Sequence, residues 1–278
     1  MLDAATNRPL PVLGVALPVE ALADHIDWIL ADQRDLEIQD FIWTEVLEGD
    51  WRGRCAEAKR ILNGYTGRLG VHGPFWGFSI AAMDPGVREV VARRMDQGLD
   101  ACAELGATQM VIHSPYTTWS HQNIDTYPRG RERMVELTHD TLAPAVKRAE
   151  SLGVTLVIEN IEDRDPYERV ALARSFNSPA VKISIDTGHA HYAHVTTGAP
   201  PVDFYVRAAG DLLDHVHIQD ADGYADRHWE PGIGTVNWHA VFAALADIDA
   251  TPRLNLELRE KSRNIPGAAW LERTGLAR

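Results

Sequence analysis

Six short apolar segments of the sequence carry a histidine or an acidic residue at their last or second-last position. In chain order these residues are His72, His113, Glu159, Asp186, His217 and Glu257. Burying so many of these side chains together is costly unless a cation offsets the carboxylate charge. The pattern therefore predicts a divalent metal site. Imidazole and carboxylate ligands without a thiolate suit Zn²⁺, Mn²⁺, Co²⁺ or Fe²⁺, whereas Mg²⁺ prefers oxygen ligands.

A second group of polar residues follows the seventh apolar segment. Asp226 and His228 lie two positions apart, so in an extended loop their side chains would face the same side. Alone, an Asp-x-His sequence is usually a solvated loop. Beside the six segment-end residues, the pair becomes a candidate pair of additional ligands, together with His189, which follows Asp186 by three positions.

The apolar segments alternate with amphipathic stretches, which predicts repeated β-then-α units. The predicted strands are Val12–Leu17, Leu36–Gln39, Leu69–His72, Met110–His113, Val154–Glu159, Val181–Asp186, His215–Ile218 and Leu254–Leu258. Their composition and flanking turn residues are typical of strands buried on both faces of a parallel sheet. Eight units favour an α/β fold with a single (β/α)8 TIM barrel over residues 1–278, and a doubly wound open sheet is the alternative. In a barrel the strand ends would converge on one rim.

Two long helices are predicted between these strands. Pro85–Leu105 has Asp84 as a candidate N-cap, proline at the first helical position, and Gly106 as its stop. Arg131–Leu152 is similar, but Pro144 lies inside it and is expected to kink it or divide it into two helices.

Composition narrows the class of protein. The 278 residues include 27 Lys+Arg against 40 Asp+Glu, a formal net charge of −13, and 12 histidines. This acidic balance argues against general binding to nucleic acid or anionic membranes. Two cysteines, Cys55 and Cys102, are too few for a disulfide framework or a thiolate cluster. The start, MLDAATNRPL, has no leader pattern and no run is long enough to span a bilayer, so a cytoplasmic location is expected.

The combination of short motifs resembles the xylose-isomerase-like TIM-barrel superfamily, which includes sugar-phosphate isomerase/epimerase proteins, sugar epimerases and the endonuclease IV family. The matching motifs are His72-Gly-Pro-Phe, His113-Ser-Pro, Glu159-Asn160, Asp186-Thr-Gly-His189-Ala, His217-Ile-Gln-Asp220, Asp226-Arg-His228 and Glu257. Many isomerase-like members have Pro-Gly-Glu-Gly where this chain has Ile233 in place of the glutamate.

The resemblance implies roles for individual residues. In the epimerases, residues matching Glu159, Asp186, His217 and Glu257 hold one divalent metal. The two glutamates among them are also the acid/base pair, and the residue matching His189 contacts substrate. In endonuclease IV, a three-zinc site uses the four matching residues plus those matching His72, His113, His189, Asp226 and His228. The resemblance therefore implies one to three divalent metal ions in this chain, with zinc and manganese the first candidates.

These observations favour a metal-dependent isomerase or epimerase of a sugar or sugar phosphate. Its substrate would be a small, carbohydrate-like molecule. Phe75, Trp76 and Trp119 are candidates for an apolar wall against a sugar face, as are Tyr116 and Trp229. Arg227 and Arg259 are candidates for contacting an anionic substrate group. The alternatives are a multi-metal phosphoesterase of the endonuclease IV type, against which the acidic charge argues, and a non-catalytic metal- or sugar-binding barrel.

Overall fold

Eight parallel strands close into a barrel in the computed structural model of the protein, which describes residues 9–278. The strands are β1 (Gly14–Leu17), β2 (Leu36–Ile38), β3 (Leu69–His72), β4 (Gln109–His113), β5 (Thr155–Glu159), β6 (Val181–Asp186), β7 (Leu213–Ile218) and β8 (Arg253–Leu256). Each strand pairs with the next in the chain, and β8 pairs with β1. The predicted (β/α)8 TIM barrel is confirmed, and the open-sheet alternative is wrong.

The strands lie where the apolar segments predict them, with each end within two residues of its expected position. The largest shifts are at β1, which begins at Gly14, at β7, which begins at Leu213, and at β8, which ends at Leu256. Glu257 is therefore the first residue beyond its strand rather than part of it.

Helices cover the outside of the barrel. Their bounds are α1 (Leu22–Asp32), α2 (Thr44–Glu48), α3 (Trp51–Ile61), α4 (Pro85–Leu105), α5 (Thr118–Asn123), α6 (Gly130–Leu152), α7 (Pro166–Ser175), α8 (Thr187–Thr197), α9 (Val202–Ala209), α10 (Trp238–Asp247) and α11 (Asn264–Arg273). The predicted caps of α4 are present: Asp84 accepts hydrogen bonds from the backbone N–H groups of Gly86 and Val87, and Gly106 has a positive φ of 73°. Cys55 and Cys102 are buried in α3 and α4.

Pro144 does not divide α6 into two helices, so that one of the two expected outcomes is wrong. Proline removes the N–H that would bond the carbonyl four residues earlier, here that of Asp140. Both Pro144 and Asp140 lie on the exposed side of the helix. Water can take the place of the missing donor there, so one unbroken helix is tolerated.

A buried ion pair anchors the chain after β5. The Arg169 Nε on α7 lies 3.2 Å from Asp163 Oδ1, with both side chains almost fully buried. Arg169 also donates to the carbonyls of Ile158 on β5 and Ser184 on β6, and Asp163 accepts from Ser114 Oγ at 2.8 Å. These contacts fasten the segment that directly follows Glu159.

Replacing Arg169 with methionine is expected to lower the free energy of unfolding by about 3–5 kcal/mol, because Asp163 would stay buried without its charge partner. Burial raises the pKa of Asp163, and Arg169 opposes that rise. The matched control is Arg174→Met on the same helix, where an exposed pair with Asp211 contributes about 0–1 kcal/mol. Urea unfolding of both variants measures the difference, and equal losses would contradict the prediction.

Within residues 9–278, no helix is both long and apolar enough to cross a membrane. The expectation of no leader concerns the chain start, whose first eight residues lie outside the described residues. The assignment of residues 1–278 to one domain stays a prediction for the same reason.

Candidate metal centre

The six segment-end residues meet at one rim of the barrel. Four of them, His72, His113, Glu159 and Asp186, are the last residues of β3, β4, β5 and β6. His217 is the second-last residue of β7, and Glu257 directly follows β8. All but His113 are buried. Parallel strands bring their carboxyl ends to the same rim, which is why residues so far apart in the chain are neighbours.

The centre of this group is the imidazole of His217. Its Nδ1 lies 2.6 Å from Glu159 Oε2 and 3.4 Å from Glu257 Oε2. Two buried atoms, His217 Nδ1 and Asp186 Oδ2, have no hydrogen-bond partner among residues 9–278. Ligand atoms about 2.0–2.1 Å from a tetrahedral Zn²⁺ are about 3.3 Å apart, so the 3.4 Å contact to Glu257 has the spacing of ligands that share an ion, whereas the 2.6 Å contact to Glu159 is shorter than that. Ligand atoms of Glu159, Asp186 and His217 all lie within 4.8 Å of one another.

Four histidines of the site have one ring nitrogen held by an oxygen acceptor. The pairs are His72 Nδ1 with the Gly73 carbonyl (3.0 Å), His189 Nδ1 with the Asn160 carbonyl (2.9 Å), His228 Nδ1 with the Glu257 carbonyl (2.8 Å), and His217 Nε2 with Glu37 (3.0 Å). A histidine that donates one N–H in this way presents its other nitrogen as an acceptor. This is the arrangement that orients metal-binding histidines in proteins.

Asp226 and His228 come together with His189 in a second cluster. Asp226 lies 3.4 Å from His189 Nε2 and 3.0 Å from His228 Nε2. The Gln219 amide joins this cluster to the first, because Nε2 donates to both Asp226 and Asp186. A Cβ at Gly188 would lie 2.2 Å from the Gln219 side chain, so any larger residue there would displace the amide that joins the clusters.

His72 and His113 form a third cluster with Glu159. Their ligand atoms lie within 4.8 Å of one another, and the two imidazole rings are 5.3 Å apart at their centroids. The nine predicted ligands are thus brought to one rim in three overlapping groups. Their role as ligands stays a prediction.

The electrostatics of the rim favour a cation. Burial alone would lower the pKa of His217, but neighbouring carboxylates outweigh it and raise that pKa well above the ordinary value. His228 shows the same balance, with its pKa raised to about 9. Burial raises the pKa of Asp186 to about 6. The negative charge of the rim carboxylates therefore attracts protons, and a bound divalent ion would neutralise the same charge.

Glu37 on β2 is a buried site residue that the sequence reasoning missed. Its carboxylate lies 3.0 Å from His217 Nε2 and 3.2 Å from His215 Nε2, and its exposed fraction is 1%. Burial would raise the pKa of Glu37, but the two histidines outweigh it and lower that pKa. The sequence shows a carboxylate in the middle of the strand Leu-Glu-Ile, but it does not show which face of the strand that carboxylate lies on. The His215 ring lies 4.5 Å from the His217 ring, centroid to centroid.

The aromatic candidates divide into two groups. Phe75 stacks on His113 with centroids 3.9 Å apart, and Trp76 packs on Phe75 at 4.8 Å. Trp43, which the sequence reasoning did not single out, stacks on Trp76 at 5.6 Å. Trp119 is 73% exposed, whereas Tyr116 is buried in the core. Tyr116 therefore does not form part of a wall open to a ligand.

The candidate anion-binding arginines already have protein partners. Arg227 pairs with Asp222 at 2.8 Å and lies over the Trp229 ring at 5.2 Å. Arg259 donates to the carbonyl of Asp226 at 3.2 Å. Ile233, which replaces the glutamate common in isomerase-like members, is 61% exposed. A role for Arg227 toward substrate requires rearrangement of its pair with Asp222.

Comparisons with known proteins agree with the barrel fold. A family model described as xylose isomerase-like TIM barrel matches residues 36–274. The TTHB071 protein of Thermus thermophilus, in a structure obtained with ZnCl2 soaking, is 26% identical with a TM-score of 0.73, covering 96% of this chain and 99% of that chain. D-psicose 3-epimerase of Agrobacterium fabrum is 27% identical over 136 residues, 46% of this chain and 44% of the relative.

An endonuclease is also among the relatives. Probable endonuclease 4 of Mycobacterium leprae is 26% identical over 189 residues, 63% of this chain and 67% of the relative. For three of the curated relatives that it matches, the chain spans between 44% and 65% of their length. The chain is thus distantly similar both to a sugar epimerase and to a probable endonuclease.

Proposed function

Because the chain belongs to the xylose isomerase-like TIM barrel family, we propose that it is a divalent-metal-dependent epimerase or isomerase of a ketose-type sugar or sugar phosphate. One observation carries the proposal: Glu159 at the end of β5 and Glu257 after β8 approach the same His217 nitrogen, at 2.6 and 3.4 Å. Two carboxylates that reach a common point from different strands are what proton removal and return on opposite faces of a carbon require.

Metal binding is supported by the residues of the site. The orphaned His217 Nδ1 and Asp186 Oδ2 converge with the two glutamates, a mixed imidazole and carboxylate set that suits zinc or manganese. A bound divalent ion would polarise the substrate carbonyl and stabilise the negative charge that develops on its oxygen.

The glutamates carry the proton transfers. One carboxylate accepts the proton from the carbon next to the carbonyl, and the electron pair of that C–H bond moves toward the carbonyl oxygen. The other glutamate, as its acid form, donates a proton to the opposite face of the carbon, which inverts its configuration. No oxidant or reductant is consumed. The Ser184 Oγ donates to Glu159 Oε2 at 3.0 Å and fixes the orientation of that carboxylate.

Phe75 and Trp76 supply a surface for the apolar face of the sugar. Phe75 stacks directly on His113, so this surface borders the centre. Trp76 extends it outward with an exposed fraction of 54%. Stacking against a ring of this kind orients a sugar without adding charge.

A multi-metal phosphoesterase is the second candidate. It is favoured by the two outer clusters, His72 with His113 and His189 with Asp226 and His228, which a single-ion epimerase does not require. The formal charge of −13 argues for a small substrate, because neutralising the phosphates of a duplex takes many Lys and Arg contacts.

The test incubates the protein in D₂O with Mn²⁺ or Zn²⁺ and a panel of ketopentoses, ketohexoses and their phosphates, including D-fructose and D-psicose. Deuterium incorporation next to the carbonyl, followed by NMR, is the expected result for at least one ketose. The parallel assay uses a duplex oligonucleotide with one abasic site at low salt. Cleavage of the duplex without exchange into any ketose would contradict the epimerase and favour the phosphoesterase.

A further inference from the structure

Two residues that the catalytic scheme does not use support the Glu257 carboxylate, Gln39 directly and Lys261 through Gln39. Gln39 directly follows β2, and its Nε2 donates to Glu257 Oε1 at 2.6 Å. Lys261 lies four residues after Glu257, and its Nζ donates to Gln39 Oε1 at 2.8 Å. The three side chains thus form one hydrogen-bonded series that ends on the proposed acid/base residue.

The chemistry of these groups allows a single direction for the series. An ammonium carries donors and no acceptor, so Lys261 must face the amide oxygen of Gln39. The amide then has only its NH₂ group to present to Glu257. A carboxylate that accepts from such a donor is held in one rotamer, with the accepting oxygen engaged.

We propose that Gln39 and Lys261 are positioning residues for Glu257: Lys261 sets the orientation of the Gln39 amide, and the amide in turn fixes which carboxylate oxygen faces the metal centre. Oε1 is engaged by Gln39, so Oε2 is the oxygen presented to the centre. Oε2 lies 3.4 Å from His217 Nδ1 and 3.5 Å from His228 Nδ1. This inference rests on the proposed role of Glu257.

The backbone around the series is itself fixed. The Gln39 N–H donates to the Leu17 carbonyl of β1 at 3.0 Å. The carbonyl of Lys261 lies 2.9 Å from His25 Nε2 on α1. Gln39 and Lys261 are therefore both anchored, to β1 and to α1, while Glu159 accepts from Ser184 of β6. Each proposed acid/base glutamate has its own neutral donor.

The first experiment measures Zn²⁺ affinity by competition with a chromophoric chelator. Gln39→Met keeps the length of the side chain and removes its donors, so we expect Zn²⁺ binding weaker by about 10–100-fold, as for other changes behind a metal ligand. The matched control is Gln97→Met on α4, a half-buried glutamine that donates to the Leu47 carbonyl and is remote from the rim. Thermal unfolding of both variants identifies any loss of fold.

The second experiment tests whether Lys261 acts through Gln39. Lys261→Met alone is expected to weaken Zn²⁺ binding, and Lys261→Arg, which keeps a cationic donor, to restore most of the affinity. In the Gln39→Met background, Lys261→Met should cause no further loss, because the amide that it orients is gone. Additive losses would show that Lys261 acts on the centre independently and would overturn the series.

The third readout is the exchange reaction with D-fructose or the best ketose of the panel. Gln39→Met should lower kcat with KM unchanged, since the interaction is with the acid/base group and not with substrate. If the parent protein binds Zn²⁺ and is active, and Gln39→Met binds Zn²⁺ as tightly as the parent does, the positioning role is overturned and the proposed function stands. A parent protein that binds Zn²⁺ but exchanges no ketose overturns the proposed function and leaves the affinity comparison as the test of this inference.

Discussion

Glu159→Gln is expected to lower deuterium exchange into a ketose substrate by about 10²–10⁴-fold while the barrel stays folded. Glu159 Oε2 accepts from Ser184 Oγ and lies 2.6 Å from His217 Nδ1, so an amide oxygen can take its place there. Oε1 lies about 4 Å from His113 and His189, on the side away from Ser184. An amide nitrogen at that position cannot accept a proton.

The control for this variant is Glu162→Gln, three residues later in the loop that follows β5. Glu162 Oε2 accepts from the backbone N–H of Thr118 at 3.1 Å and takes no part in the proposed chemistry. Its turnover should match that of the parent protein. The measurement is the initial rate of exchange by NMR at saturating metal, with far-ultraviolet circular dichroism as the check on fold. Near-parental exchange in Glu159→Gln would remove this glutamate as the base.

The rim could be predicted from the sequence because strand ends carry their own signal. A parallel strand buried on both faces is a continuous apolar run, so a terminal His, Asp or Glu stands out against it. Barrel closure then brings all such ends together whatever their separation in the chain. This is why residues as distant as His72 and Glu257 were expected at one place, and the structure does place them at one rim.

The supporting residues could not be predicted in the same way. Glu37 is an inward-facing residue in the middle of β2, and nothing local distinguishes it from an outward-facing carboxylate. Gln39 and Lys261 are 222 positions apart, and they meet only because β8 pairs with β1 and β1 pairs with β2. Such contacts depend on strand register and side-chain rotamers, which composition and periodicity do not specify.

Surface side chains were the least predictable part of the site. Tyr116 and Trp119 both follow β4, yet the first is buried and the second is exposed. Arg227 is basic and near the rim, but Asp222 lies five residues earlier on the same loop and pairs with it. A loop conformation decides these outcomes, and short polar loops carry little hydrophobic pattern from which to derive one.

Removing divalent metal with a chelator is expected to abolish exchange and to lower the thermal midpoint of unfolding. Five acidic residues, Glu37, Glu159, Asp186, Asp226 and Glu257, crowd the rim, and two of its buried ligand atoms lack hydrogen bonds to any described residue. An ion that binds only the folded chain stabilises it by about 2.7 kcal/mol at 100 times its dissociation constant and by about 4.1 kcal/mol at 1,000 times. Calorimetry against Zn²⁺ or Mn²⁺ concentration measures this gain.

Metal uptake should also release protons and strengthen as the pH rises. Nearby carboxylates outweigh burial and raise the pKa of His228 to about 9 and those of His189 and His217 above the ordinary value, so without a metal these rings hold a proton to higher pH than a free imidazole does. A metal ligand must be the neutral imidazole, so each bound ion displaces protons, and lower pH opposes binding. Titration calorimetry in two buffers of different ionisation enthalpy counts the protons released.

His217→Gln should remove both the metal-dependent gain in stability and the proton release. Its matched control, His239→Gln, changes an exposed histidine of α10 that lies away from the rim and should leave both intact. His217 Nδ1 is the atom that both Glu159 and Glu257 approach. Its loss therefore removes the proposed metal ligand that lies between the two glutamates. A thermal midpoint that is indifferent to chelation in the parent protein would contradict the metal centre, and with it the use of these glutamates around a shared ion.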